Sequence, residues 1–560
     1  MEISSENQYE AVFKKPYPEW ARREIVIPDI SLGELLDRST SQYGNRVAIS
    51  FYGREITYNE FRTLVDNMAG YLAASGVRKG DRIAIMLPNI PHFAIFFFAV
   101  AKVGGIVVQT NPLYTPIELK HQIHDAGADT IVVMDDFVDK AMSLYPNPIT
   151  KIIVVKVQDF LPSGLAFMYS LIKAVKRTGK KVREEGGVKL YSSIMSKEYP
   201  AAPAVNVNPK EDPMVFQYTG GTTGVPKAAV LTHENLVSNI YQVTEWIPPK
   251  YRDGISYLSA IPFFHVYGMM TAMLTPLATG CRVIMVPDPR DTDTILKTIH
   301  KEKPDSFPGI PAMYHSFLSH KDVAKYDLNS LKFCLSGAAP LPKTLQDQFE
   351  AKTGAVIIEG YGLSEASPVT NANPLDSTLR RIGSIGPPVP NTQEKIVDLE
   401  TGTKEVRIGE PGELIIKGPQ VMKGFWNNPE ETGRALKDGW LHTGDIAKVD
   451  ENGYVYIIDR KKDIIIAGGY NVYPNEVEEA IRSYPKVEEV AVVGEKDEHR
   501  GETVKAFIVL KQGQQATKEE IIEHCRNYLA VYKLPRIIEF RDSLPKSLIG
   551  KILRRQLRNQ

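Results

Sequence analysis

An α/β fold is what this chain predicts: a large N-terminal α/β domain of several subdomains, then a small α+β domain at the C-terminal end. Three observations carry that expectation. Between about residues 30 and 450, short and nearly continuous apolar runs alternate with stretches of helical pattern. Ile83-Ala-Ile-Met-Leu87, Ile131-Val-Val-Met134, Ile152-Ile-Val-Val155 and Val283-Ile-Met-Val286 each end at turn or charged residues, which is how buried parallel strands read. At Asp459-Arg460-Lys461-Lys462 the texture changes, with four charged residues after the strand-like Tyr454-Val-Tyr-Ile-Ile458. The length of 560 residues also exceeds what a single core sustains.

Within the large region, Phe93-Ala-Ile-Phe-Phe-Phe-Ala-Val-Ala101 is the most apolar run. It falls far short of the ~20 residues that span a bilayer, and Lys102 ends it, so a buried helix is expected. Residues 159–186 depart from the compact pattern. An apolar half, Leu165-Ala-Phe-Met-Tyr-Ser-Leu-Ile172, precedes Lys173, Lys176, Arg177, Lys180, Lys181 and Arg183. Such a segment suits either a surface helix with one face on the core or an interfacial helix resting on anionic lipid. Past residue 462 the pattern is helix 475–484, strand 487–493, strand 503–510 and helix 518–528, then a basic tail.

Composition excludes several classes. Lys+Arg and Asp+Glu balance at 67 each, so no global field favours nucleic acid. Cys281, Cys334 and Cys525 are dispersed and odd in number, with neither a disulfide framework nor metal-type spacing, which fits a reducing cytoplasm. The polar N-terminus lacks a signal-peptide core.

The chemistry is concentrated in Tyr218-Thr-Gly-Gly-Thr-Thr-Gly-Val-Pro-Lys227. Glycines let a backbone turn tightly around a ligand, while amide N–H groups and threonine hydroxyls point donors inward, an arrangement suited to phosphate. It is not a P-loop: a proline separates Gly224 from Lys227, and Ala228 stands where a magnesium-binding hydroxyl belongs. The decapeptide, with Ala228-Ala-Val-Leu-Thr-His233 behind it, resembles instead the phosphate loop of the adenylate-forming enzymes, which comprise acyl-CoA synthetases, luciferases and peptide-synthetase adenylation domains. The likeness extends over nearly the whole chain and is nearest to bacterial and archaeal long-chain fatty acid–CoA ligases.

Enzymes of that family overcome the poor electrophilicity of a carboxylate by letting it attack the α-phosphate of ATP. An acyl-adenylate and pyrophosphate result, and a thiol then displaces AMP. The site must therefore supply donors, cations and a magnesium ion more than acid–base groups. The resemblance implies that Thr219, Gly220, Gly221, Thr222, Thr223 and Gly224 cradle the β- and γ-phosphates, with Lys227 at the loop's end. Glu359-Gly-Tyr-Gly-Leu-Ser-Glu365 resembles the adenine segment: Gly360 and Gly362 give close approach, Tyr361 stacks on the base and Glu365 ligates magnesium. Ser336-Gly-Ala-Ala-Pro-Leu341, with Gly337 and Ala338, resembles the second adenine wall. Asp445 in Trp440-Leu-His-Thr-Gly-Asp445 matches the ribose clamp, and Arg460 contacts the same sugar. Leu544-Pro-Lys-Ser-Leu-Ile-Gly-Lys551 offers Lys551 as the cation that bridges carboxylate and α-phosphate.

One lysine cannot serve both half-reactions. The resemblance therefore implies an N-terminal domain over 1–459, a hinge at 460–462 and a mobile C-terminal domain over 463–560. After adenylation that domain rotates and presents Gly468, Gly469 and Tyr470 to the pantetheine arm of coenzyme A. His265 is expected at the mouth of the acyl pocket, beside Gly337 and Gly360. Val266-Tyr-Gly-Met-Met270 holds no carboxylate for an α-amine, which argues against amino acids, while Met269, Met270 and Met273 offer an adaptable apolar lining. A tryptophan that gates some long-chain members is missing here.

The expected function is thus an ATP- and Mg-dependent ligase joining a medium- to long-chain fatty acid to CoA. An aryl- or branched-acid ligase of the same mechanism is the alternative, and a non-catalytic acyl- or nucleotide-binding relative a further one. The partners expected are the acid, ATP and CoA, without nucleic acid. The expected location is cytoplasmic, with a peripheral contact at the inner face of the membrane through 159–186 and a homodimer both left open.

Overall fold

The computed structural model describes residues 6–176, 182–219, 226–467, 470–497, 501–547 and 551–558. The chain forms two compact units. The larger holds Pro16–Gln393 and Lys417–Leu441; the smaller gathers Met1–Lys15, Glu394–Ile416 and His442–Gln560.

The larger unit is an α/β body with two eight-stranded sheets. One runs in the order Gly424–Phe425, Lys227–Thr232, Pro213–Thr219, Ile106–Gln109, Arg82–Met86, Thr130–Met134, Lys151–Val155 and Val188–Leu190. Its centre is parallel, and the pairing becomes antiparallel where Pro213–Thr219 meets Lys227–Thr232. The other sheet is likewise parallel inside, with antiparallel strands at both ends. There Val47–Phe51 pairs with Arg282–Met285, more than two hundred residues away. Of the four expected strands Thr130–Met134 is buried at every position, and the other three differ only in a half-buried first residue. Apolar residues on both pleat faces are the mark of a sheet covered on both sides.

Pro91–Lys102 is the expected buried helix, with every residue from Pro91 to Ala101 inside the core. No helix among the described residues is long and apolar enough to cross a membrane.

The smaller unit has two sheets of its own. In the first, Gln393–Val397, Gly412–Lys417, Trp440–Val449 and Val455–Arg460 lie side by side. The N-terminal helix Glu6–Phe13 joins this unit: the Tyr9 hydroxyl reaches the carbonyls of Ile396 and Val406 at 3.2 and 2.8 Å. The second sheet pairs Val487–Asp497 with Gly501–Leu510, close to the strands expected at 487–493 and 503–510. Alternation decides its two faces. Val490 and Val492 pack with Val477 and Ile481 of helix Pro474–Arg482 and with Ile521 of Lys518–Cys525, whereas Ala491 and Val493 pack with Phe507, Leu544 and Leu557.

Candidate active site

In the larger unit the two strands that flank the glycine-rich segment, Pro213–Thr219 and Lys227–Thr232, pair antiparallel. Thr219 stands opposite Lys227 in the antiparallel register, with Tyr218 opposite Ala228. Gly220, Gly221, Thr222, Thr223 and Gly224 lie outside the described residues. Lys227 is half-buried against the Phe425 ring, 4.9 Å from its centroid, and is ion-paired with Glu431. Glu431 opens helix Pro429–Ala435, capped by Asn428, and also pairs with Arg434 at 2.6 Å. The Lys227 ammonium beside it holds the Glu431 carboxyl below the usual carboxylate range. Sequence reading missed this carboxylate. Its one signal was Asn428-Pro-Glu-Glu431, a helix-start pattern that a nucleotide site does not require.

The turn Ser364–Ala366, which carries Glu365, packs on both of those strands. Gly360, Tyr361 and Gly362 close strand Val356–Gly362. A Cβ on Gly362 would lie 2.1 Å from the Pro368 carbonyl oxygen, so that close backbone approach requires glycine. Gly337 and Ala338 follow strand Phe333–Ser336, and Ala338 holds a positive φ of 66°. Burial pushes the half-buried Glu359 carboxyl up to about 8, which keeps it largely protonated at neutral pH.

His265 caps the helix that begins at Val266, accepting the Tyr267 N–H on Nδ1 at 3.3 Å. The Tyr267 ring lies against Gly337, and its hydroxyl is shared between the carbonyls of Leu335 (2.7 Å) and Gly309 (3.0 Å). Beside it is an apolar cavity bounded by Trp246, Thr271, Thr275, Leu335, Ile358 and Val369, with no charged residue in its lining. About 40 Å³ of it is wide enough for a water molecule. Met269, Met270 and Met273 are wholly buried in the core instead of lining this cavity; Thr271 and Thr275, on the same helical run, take that place.

In the smaller unit Asp445 and Arg460 are directly opposed across two antiparallel strands, with Arg460 Nε 3.4 Å from Asp445 Oδ1. The Asp445 backbone is set by the Thr443 hydroxyl, which accepts the Asp445 N–H and donates to the Leu414 carbonyl. Lys551 reaches the same neighbourhood from the far end of the sequence. Its amide donates to Ser547 Oγ and its carbonyl accepts from the Ser547 amide. Loss of hydration lowers the Lys551 ammonium to about 8; Arg460 and Lys462 push the same way, and Asp445 and Asp463 oppose. Tyr470 begins the strand that returns along Ile465–Ala467 and stacks on Tyr532 at 4.7 Å. Gly468 and Gly469 lie outside the described residues.

Among the described residues no three His, Cys, Asp or Glu side chains are placed to hold a metal ion by themselves.

Residues 36–426 match the AMP-binding enzyme family, and residues 476–551 match the AMP-binding enzyme C-terminal domain. The chain belongs to the AMP-binding enzyme family. It is 44% identical to a long-chain-fatty-acid–CoA ligase of Bacillus subtilis (strain 168), covering 97% of this chain and 96% of that relative. Among solved structures it resembles an anthranilate CoA ligase, AuaEII, in complex with anthranoyl-AMP, with a TM-score of 0.83 and 28% identity over 95% of this chain and 98% of the other. ATP-bound MatB from Rhodopseudomonas palustris superposes with a TM-score of 0.82 and 28% identity, covering 95% and 99% of the two chains.

Proposed function

We propose that this protein is an ATP-dependent ligase that joins medium- to long-chain fatty acids to CoA through an acyl-adenylate. The observation that carries the acid class is the uncharged apolar cavity next to Tyr267 and Gly337. An alkyl chain gains about 0.8 kcal/mol per buried methylene, whereas an α-ammonium placed there would be stranded without a counter-charge. In this reading the triphosphate lies along 219–224 with Lys227 at its end, Tyr361 and the 337–338 turn hold adenine, and His265 faces the acid. Asp445 and Arg460 hold the ribose, and Lys551 neutralises the carboxylate and α-phosphate as they meet.

The residues present fit a magnesium ion: Glu365 sits on a turn packed against the strands that flank 220–224, and a single carboxylate suits a cation that takes its remaining oxygens from phosphates and water. Bound there, the ion would neutralise charge on the phosphate oxygens. For thioester formation Lys551 has to leave, so 463–560 turns about 460–462 and brings Gly468, Gly469 and Tyr470 to the pantetheine arm.

The Lys227–Glu431 pair makes a specific prediction. A carboxylate beside the loop repels the triphosphate and competes for the ammonium. Glu431→Gln is therefore expected to lower the KM for ATP about fivefold at low salt, since one unit charge several ångströms away in a partly hydrated site is worth about 1 kcal/mol. Steady-state kinetics at two ionic strengths would check this, and an unchanged or raised KM would count against it.

The function itself is tested by pyrophosphate release with ATP, magnesium and CoA over acids from C4 to C18 and benzoates. Rates should climb with chain length by about fourfold per methylene removed from water. A benzoate preference would move the substrate to aryl acids, and no acid-dependent release from folded protein would overturn the ligase.

A further inference from the structure

Strand Gly412–Lys417 is buried from Gly412 to Ile416, and among its apolar residues stands one acid, Glu413, 4% exposed. A carboxylate is rarely left that deep unless polar groups hold its charge. Three groups meet this one. Its Oε1 accepts the Gly444 N–H at 3.2 Å, while its Oε2 accepts from Lys461 Nζ at 2.9 Å and lies 3.5 Å from His442 Nδ1. Gly402 packs over two of the side chains: a Cβ there would stand 3.4 Å from His442 Cε1 and 3.8 Å from Glu413 Oε2.

The places of these partners in the chain set Glu413 apart from an ordinary buried ion. Gly444 comes immediately before Asp445, and Lys461 immediately after Arg460. Asp445 and Arg460 are the two residues that oppose each other across Trp440–Val449 and Val455–Arg460. One carboxylate on the adjacent strand thus grips both sides of that pairing, at the residues adjoining the pair. Gly444 holds a φ of 70°, a left-handed conformation that glycine adopts without strain, and the bond to Glu413 fixes its amide there. Leu414 adds a second brace: its carbonyl accepts the Thr443 hydroxyl at 2.7 Å, and that hydroxyl accepts the Asp445 N–H at 3.0 Å. An ion pair kept for stability alone has little reason to be buried, because an apolar residue serves as well in such a place.

We propose that Glu413 is a positioning residue that sets the Asp445–Arg460 pair at the spacing and tilt needed to take the two ribose hydroxyls of the nucleotide. It acts through Gly444 and Lys461 rather than on the sugar. Groups that bind by hydrogen bonds gain most when a supporting layer has already fixed them in the bound geometry. The proposal deepens the ligase reading and rests on it for the place of the ribose.

The test compares AMP with 2′,3′-dideoxy-AMP, which lacks both hydroxyls, by isothermal titration calorimetry on the full chain. Wild type should bind AMP at least about tenfold more tightly, as expected of hydrogen bonds to charged groups. Asp445→Ala, which removes the clamp itself, should bring the two ligands to within about twofold. Glu413→Ala should reduce the ratio to about threefold or less, with affinity for the dideoxy ligand nearly unchanged. Glu413→Gln is nearly isosteric and keeps an acceptor for Gly444 but not the charge that holds Lys461, so its ratio should fall between. Both affinities are measured on one protein, so a loss of stability alone does not move their ratio. A wild-type ratio in Glu413→Ala, or in Glu413→Gln should the alanine variant not fold, overturns the proposal. If Asp445→Ala keeps the wild-type ratio, the ribose lies elsewhere and the proposal falls with that assignment. The expected ratios without acid-dependent pyrophosphate release would instead remove the ligase reading and leave the role of Glu413 standing.

Discussion

Lys551→Ala is expected to lower acid-dependent pyrophosphate release by about 100- to 1,000-fold, the cost of removing one preorganised charge-stabilising group from a transition state. Conversion of pre-formed acyl-adenylate and CoA to the thioester should be nearly unchanged, because that step has to proceed with Lys551 withdrawn. The pH dependence follows from the surroundings of the amine. Dehydration, Arg460 and Lys462 disfavour the ammonium more than Asp445 and Asp463 favour it, and its pKa falls from 10.5 to about 8. The free enzyme therefore carries the charge below pH 8 and loses it above. The kcat/KM for adenylation should decline as pH rises through about 8, and Lys551→Arg, whose cation persists, should shift that limb to higher pH. Equal loss of both half-reactions in Lys551→Ala would reduce Lys551 to a structural residue.

The largest loss of stability is expected from Arg554→Ala. This guanidinium, 19% exposed, faces three carboxylates: Glu478 at 2.8 Å, Asp463 at 3.5 Å and Asp459 at 3.8 Å; it also donates to Asn475 Oδ1 at 2.6 Å. Removing one member of a buried ionic cluster strands the rest, at a cost of about 3–5 kcal/mol. The sign with pH is set by Asp459, whose carboxyl burial already raises from 3.8 to about 6 in spite of Arg554. A group with a raised folded pKa loses its contribution as pH climbs through that value. Without Arg554 the folded pKa rises further, so the deficit should be smaller at pH 5 than at pH 7.5. Thermal melts of the two proteins at both pH values would show it, and a deficit independent of pH would contradict the assignment. Because Arg554 lies three residues after Lys551, the variant should also lose adenylation.

Arg554 marks where the sequence stopped being legible. In a tail reading Lys551, Arg554, Arg555, the natural expectation is a solvated basic strip, yet Arg554 is the hub that ties helix Pro474–Arg482 to Asp459 and Asp463. Only the pairing of distant segments brings those carboxylates together. The same holds for Asp445 opposite Arg460, a register fixed by hairpin length, and for Glu6–Phe13, whose place beside 394–416 depends on Tyr9 finding two carbonyls. What could be read were features with a local cause: the apolar runs at 83, 131, 152 and 283, the all-apolar helix near 93, and the order of elements from 475 to 528. The glycine- and threonine-rich segment stood out by composition alone, and Gly220 to Gly224 lie outside the described residues. Segment 159–186 was half legible, since its composition allowed either orientation and only the fold left Leu165, Phe167 and Met168 exposed.

The central claim, that this chain makes an acyl-adenylate and passes the acyl group to CoA, is tested most directly by a trap and chase. Enzyme in excess is mixed with ATP, magnesium and palmitate without CoA, quenched and searched for palmitoyl-adenylate by mass spectrometry, and CoA is then added to a parallel sample. The account predicts stoichiometric adenylate that disappears on CoA addition as palmitoyl-CoA and AMP appear together. ADP and phosphate in place of AMP and pyrophosphate, or an adenylate that CoA leaves untouched, would contradict it.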